Sequence, residues 1–389
     1  MATGECTTAV HAGRHDFRDL GVHAPPLDRS TTYPLTSLAT GTASLGAMAA
    51  GGAPQGSPVY ARLHSPTVAR WEAAIAELER ADEAVAFASG MAGITAVLVA
   101  AGAVGRHVVA VRPLYGCTDH LLQSGLLRCE VDWVEPDAVA GALRPDTALV
   151  VVETPANPTL RLVDLRALVA AAGDVPVLVD NTFATPVLQR PLELGVTWSA
   201  HSATKALSGH GDVMAGVVAT SAERAGELRQ IRILTGGLLD AQAAYLLHRS
   251  LPTLPLRVRA AQANATELAA RLDRHPAVAA VHHPSLPACD PLGLVGRQMD
   301  GPGGNLAFDL HGGYEAAAQV MKAVELITPA VSLGSTDTLV QHPAGLTHQI
   351  VGEEGRAAGG ITPGMLRLSA GIEDVEDLWR DLAAALELT

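Results

Sequence analysis

At 389 residues, 48% apolar and 17% charged, the chain suits two or three globular domains around a large core and lies outside the disordered range. A formal charge of −13 excludes a nucleic-acid or anionic-membrane surface, which needs clustered Lys and Arg, and leaves small molecules and further copies of the chain as partners. Cys6, Cys117, Cys129 and Cys289 form no Cys-x-x-Cys pair, which excludes a zinc knuckle or a readable disulfide framework and suits a reducing cytoplasm.

Residues 1–15 mix polar and charged types with no apolar signal region, and no run approaches the roughly 18 apolar residues of a membrane span. Neither a signal nor a span is expected. From Thr31 to Ser57 the chain is rich in Gly, Ala, Ser, Thr and Pro and reads as an extended arm with a mobile loop. Ser65-Pro66 then reads as an N-cap with proline at the first helical position, followed by Val68, Trp71, Ile75 and Leu78 at helical spacing. Between 84 and 220, apolar runs at Ala84–Ala88, His107–Val111, Ala148–Val152, Val175–Val179 and Ala215–Ala219 alternate with helix-like stretches, the pattern of buried parallel strands with crossover helices. Runs that end in Glu153 and Asp180 place both acids at strand ends, where open α/β sheets bind ligands. Beyond residue 250 come a helix over Val258–Leu272, a strand over Asn305–Leu310 and a final helix capped by Asp374 with Val375, Leu378, Leu382 and Leu386 on one face. The expected organisation is α/β: an N-terminal arm and interface segment over 1–62, a large ligand-binding domain over 63–250 and a smaller α+β domain over 251–389.

The chemistry concentrates in a few motifs. Lys205 follows Ser202, Ala203 and Thr204, and an amine between hydroxyl residues in a sparsely charged segment suits covalent catalysis on a bound carbonyl cofactor. Ser202 and Thr204 can donate to a phosphate. Ser89-Gly90-Met91, between a strand and a helix, can present backbone N–H groups to the same phosphate. Asp180, at a strand end, can hold a pyridine nitrogen protonated through a charge-assisted bond. Alone, each motif is equally a turn, a helix cap or a surface loop; their order and spacing together carry the reading. His210, His342 and His348 lie near these motifs without metal-ligand spacing, and no metal is expected.

With Tyr60-Ala61-Arg62, Tyr115-Gly116, Glu153-Thr154-Pro155-Ala156-Asn157-Pro158, Val179-Asp180-Asn181-Thr182, Ser208-Gly209-His210, Ser332-Leu333-Gly334 and Arg367-Leu368-Ser369 added, nearly the whole chain resembles the trans-sulfuration, or cysteine and methionine metabolism, family of pyridoxal-phosphate (PLP) enzymes. The resemblance implies fold type I, a mostly parallel doubly wound sheet with a smaller C-terminal domain, and a cytoplasmic homo-oligomer, a dimer of dimers. It implies that Lys205 bonds PLP covalently, that Tyr60 and Arg62 reach the phosphate of a neighbouring subunit, and that Ser89, Gly90, Met91, Ser202 and Thr204 hold the phosphate. Tyr115 would stack on the ring and donate a proton, Asn157 bond the phenolic oxygen, and Arg367 with Ser332 hold the carboxylate of an amino-acid substrate.

The implied reaction is γ-elimination of a sulfur amino acid, giving a thiol, 2-oxobutanoate and ammonia; cleavage of cystathionine and γ-replacement on O-acetylhomoserine use the same residues. A regulatory PLP binder needs no proton donor, so Lys205, Tyr115 and Arg367 together point to an enzyme. Departures from the family pattern are Ser65-Pro66-Thr67 in place of Asn-Pro-Thr, and Ala206 and Ile233 where methionine-cleaving members carry an aromatic residue and an acid. Cys117 resembles those members. Val59 and Val331 stand where cystathionine-cleaving members place acids, so the resemblance implies a preference for methionine over cystathionine.

Overall fold

The computed structural model describes residues 4–389. Its strands in chain order are β1 (Glu83–Phe87), β2 (His107–Val111), β3 (Glu130–Val134), β4 (Thr147–Glu153), β5 (Val177–Asp180), β6 (Trp198–Ser202), β7 (Gly216–Thr220), β8 (Val278–His282), β9 (Asn305–Leu310), β10 (Thr328–Pro329), β11 (Leu339–Gln341) and β12 (Met365–Ser369). The described chain divides into two compact units, each made of separate stretches: the first runs to Gly102 and resumes over Arg190–Pro255, and the second comprises Ala103–Gln189 and Leu256–Thr389. No helix of the described residues is long and apolar enough to cross a membrane.

In the first unit β7 lies between β1 and β6 and runs antiparallel to both. The register sets Phe87 and Ser202 each opposite Gly216, so β1 and β6 point the same way and end level. The chain therefore leaves both strands at one edge, toward Ser89 and toward Lys205. The helix Pro66–Glu79 packs on β1 through Trp71, Ile75 and Leu78, all buried, as its helical spacing predicts. Ser65 occupies its N-cap position, without a side-chain bond, and Pro66 opens it. Glu72 and Arg232 form a buried ion pair at 2.5 Å, and both grip Ala86 of β1: Glu72 accepts its N–H at 2.7 Å and Arg232 donates to its carbonyl at 2.9 Å. Such a pair is worth little in net stability but leaves a costly orphan charge if one partner is removed.

Two expectations are corrected here, and one element was not anticipated. The run at Ala215–Ala219 is a strand, but an antiparallel one, because β7 returns between two strands it opposes. The stretch Thr31–Ser57 contains a helix, Leu38–Ala49, where an extended arm was expected; Ser37 caps it by accepting from Thr40 N at 3.1 Å, and its many alanines favour the helical state. The strand β6 was not anticipated, since it carries polar Ser199 and His201, both buried; His201 pairs through Nε2 with Glu79 at 2.5 Å.

In the second unit β2 pairs in parallel with β3 and β4, and β4 with β5. β2, β4 and most of β5 are buried, as continuous apolar runs require. The pairing of β4 with β5 sets Glu153 level with Asp180. A second sheet has the order β10-β11-β12-β9-β8, with β12 antiparallel to β9 and β11. Its core gathers Leu268, Leu272, Phe308, Leu366, Leu368, Leu378, Leu382 and Leu386. The last three belong to the helix Val375–Leu386, capped by Asp374, whose carboxylate accepts from Glu376 N at 3.0 Å; such a cap contributes about 1 kcal/mol.

Candidate active site

In the first unit the loop after β1 becomes the helix Gly90–Ala100 at Ser89, whose extended backbone and side-chain oxygen, accepting from Ala92 N at 3.2 Å, form its N-cap. The hydroxyl keeps its own proton to donate. A Cβ on Gly90 would stand 3.1 Å from Cα and Cβ of Ser202, and one on Gly216 would stand 2.2 Å from the Ser89 carbonyl oxygen. Glycine at both positions is what lets β6, β7 and the Ser89 loop close up, leaving the first helical N–H groups as a cradle that suits a phosphate. Lys205 follows in a turn, its N–H donating to Ser202 O at 3.1 Å. Thr204 differs from expectation as a phosphate donor. Its hydroxyl lies 3.2 Å from Ala215 O, to which it donates, and accepts from Ala215 N at 2.9 Å, so its one proton serves the loop. Tyr60 is 44% exposed, and the Arg62 guanidinium lies 5.6 Å from its ring centroid while donating to Ile233 O at 3.0 Å.

The second unit holds a connected polar cluster. Arg367, on β12, is 2% exposed and donates from Nη1 to Asn157 Oδ1 at 2.8 Å and from Nη2 to Ser332 O at 2.6 Å. Its buried Nε has no partner among the described residues, a donor placed for a ligand. Burial pushes Arg367 down to about 10, which leaves it charged at neutral pH. Ser332 has φ 115°, a strained conformation for a non-glycine residue. Glu153 does not face outward to a ligand as expected. It is buried, and its oxygens accept from Tyr115 N at 2.6 Å and Asn157 N at 3.0 Å. Asp180 accepts from the Thr182 hydroxyl at 2.5 Å and Thr182 N at 3.1 Å, which orients its carboxylate.

Tyr115 immediately precedes the helix Gly116–Gln123, and Gly116 is needed there because a Cβ would stand 2.1 Å from Thr347 O. Burial, then a hydrogen bond and charge from Cys117, then the charge of Glu153, push the Tyr115 phenol up, so it holds its proton at neutral pH. His210, His342 and His348 are each held by hydrogen bonds, to Ser208 O, Pro363 O and Leu114 O respectively. Sequence reasoning missed Thr182 and the supporting role of Glu153; a hydroxyl residue two positions after Asp180 was the available signal for the first, and the second depends on contacts far apart in the chain.

The sequence model of the family described as Cys/Met metabolism PLP-dependent enzyme matches residues 6–387. The chain is 58% identical over 382 residues to an L-methionine gamma-lyase of Streptomyces avermitilis, covering 98% of this chain and 88% of that protein. It is 54% identical to an L-methionine gamma-lyase of Brevibacterium sandarakinum, with 98% and 97% covered. Among solved structures it resembles a cystathionine gamma-lyase of Lactobacillus plantarum complexed with L-serine, with TM-score 0.90 and 32% identity, covering 99% of each chain. A cystathionine gamma synthase of Xanthomonas oryzae pv. oryzae gives TM-score 0.90 and 35% identity, with 100% and 98% covered.

Proposed function

The chain belongs to the PLP-dependent enzymes of cysteine and methionine metabolism, and from that premise we propose that it carries out γ-elimination on a sulfur amino acid, methionine foremost, releasing a thiol, 2-oxobutanoate and ammonia. The observation that carries this reading is the near full-length identity of 54 to 58% to relatives named L-methionine gamma-lyase. The Gly90 cradle and the unpartnered Nε of Arg367 fit a phosphorylated cofactor and an anionic substrate head.

Bound PLP supplies an electron sink for negative charge at the substrate α-carbon. Under this reading Lys205 is its covalent anchor, the N–H groups of Gly90 and Met91 with the hydroxyls of Ser89 and Ser202 hold its phosphate, and Asp180 keeps its ring nitrogen protonated. Thr204 fixes the lysine loop. Asn157 serves the phenolic oxygen, and Tyr115 lies on the ring. Arg367, with Ser332, clamps the substrate carboxylate in the forked geometry that lysine lacks. With the substrate amine in its place on the cofactor, Lys205 Nζ would be free to take the α-proton and then a proton from Cβ; the Tyr115 hydroxyl, which burial keeps protonated, would give its proton to the sulfur departing from Cγ, and water would complete the release of 2-oxobutanoate and ammonia. Tyr60 and Arg62 serve the phosphate of a second subunit in a cytoplasmic homotetramer. The test is product identity by mass after separate incubation with methionine, cystathionine and O-acetylhomoserine. 2-Oxobutanoate and methanethiol from methionine support the proposal; turnover confined to cystathionine or to replacement on O-acetylhomoserine overturns it in favour of those alternatives.

A further inference from the structure

Glu153 ends a fully buried strand and is itself 3% exposed, yet the proposed chemistry leaves it without a task. Its geometry supplies one. One carboxylate oxygen accepts from Tyr115 N and the other from Asn157 N, and Asn157 in turn accepts from Arg367, which donates to Ser332 O. One carboxylate thus underlies both the ring-stacking tyrosine and the carboxylate clamp. We propose that Glu153 is a positioning residue that sets Tyr115 and, through Asn157, Arg367, by accepting a backbone N–H on each oxygen.

The chemistry of the group explains why an acid stands there. A carboxyl group can present an oxygen to each backbone N–H, whereas the glutamine amide of the same shape presents one and would turn an N–H₂ toward the other backbone N–H. Keeping an acid in this place runs against its solvation: burial, and then the charge of Asp180, raise the Glu153 carboxyl well above the usual range, while the two N–H bonds and Arg367 oppose that rise. A buried acid held by two amides against that cost is an arrangement that plain strand packing does not require.

The inference rests on the roles proposed above for Tyr115 and Arg367, and its test separates the two. Glu153→Gln should lower kcat/KM for 2-oxobutanoate formation about 10- to 100-fold, because one buried amide loses its acceptor. In a Tyr115→Phe background the same change should cost measurably less than it does alone, the part acting through Asn157 and Arg367 remaining, since residues acting as one unit are not additive. Independently of turnover, hydrogen exchange in the cofactor-free protein should show faster exchange in peptides spanning Tyr115 or Asn157, with Ala148–Val152 as protected as before. Should Glu153→Gln fail to accumulate folded, Glu153→Asp, which keeps the carboxyl group but shortens the reach to both amides, takes its place in the same cycle. Losses that multiply, or unchanged exchange at both amides, overturn the inference. If Tyr115→Phe and Arg367→Ala both keep full activity, the site reading falls and the inference with it.

Discussion

Arg367 and Asn157 stand 210 positions apart in the chain and are joined by a 2.8 Å bond from Nη1 to Oδ1. Both are buried, so neither bond partner is replaced by water. Arg367→Lys keeps the charge but cannot span Asn157, Ser332 and a ligand at once. Hydrogen bonds to charged groups contribute about 1.5 to 3 kcal/mol, so kcat/KM with methionine should fall by about 10- to 100-fold. Steady-state kinetics check this; a loss below about threefold would remove Arg367 from the clamp.

Lys205 is expected to carry the cofactor. The purified protein should be yellow, and borohydride followed by peptide mapping should place a phosphopyridoxyl group on Lys205. The chain has few lysines, and an adduct on Lys322 instead would refute the assignment.

How much of this was legible from sequence differs by kind of contact. The span of β2 matches the run His107–Val111, and the face of Leu378, Leu382 and Leu386 matches the final helix, because apolar periodicity reports burial directly. β6 was illegible, because its polar Ser199 and His201 are buried at the expense of a partner, Glu79, remote in sequence. The direction of β7 is likewise set by pairing and not by local pattern. In the site, motifs named the candidate residues, but the bonds each hydroxyl or carboxylate makes were not legible: Thr204 bonds Ala215, and Glu153 accepts from two amides.

Acid should destabilise the fold through its buried histidines. Burial first, with Arg367 second for His348, pushes His283 and His348 down to about 4 from the ordinary 6.5. Between those values the unfolded chain binds protons that the folded one refuses, so this stability is fully present above about pH 6.5 and declines as pH falls toward 4. The loss is on the order of 3 kcal/mol for each histidine. His283 accepts from Ser285 and lies 3.2 Å from Gly303 O, both satisfied by the neutral ring. Urea unfolding at pH 7 and pH 5 should show a smaller drop for His283→Gln than for the unmodified protein; equal drops would exonerate His283.

A second subunit is expected to complete the phosphate site. Tyr60, 44% exposed in the single chain, and Arg62 lie side by side and are proposed to serve a neighbour. Inactive Arg62→Ala subunits mixed with inactive Lys205→Ala subunits should regain activity, since one site of each hybrid receives both intact parts. Hybrids demonstrated by mass that remain inactive would argue that each subunit serves its own site.

The substrate prediction turns on Val59 and Val331. Cystathionine carries a second amino-acid head beyond its sulfur, and its distal ammonium needs an anionic or polar partner. Val331 is 54% exposed and offers only methyl groups, and it directly precedes the strained Ser332. Val59 holds φ 63°, an outlier for a β-branched residue, so a particular backbone path sets where its side chain goes. Neither valine offers the ammonium a hydrogen-bond partner or a counter-charge, so the distal head gains nothing there to offset the cost of ordering it. A methyl thioether has no such cost. Methionine should therefore show the higher kcat/KM, and Val331→Glu should shift the ratio toward cystathionine by supplying a carboxylate. Cleavage of cystathionine by the unmodified protein at least about tenfold faster than methionine, some 1.4 kcal/mol at the transition state, would mean that groups other than these valines receive the distal head.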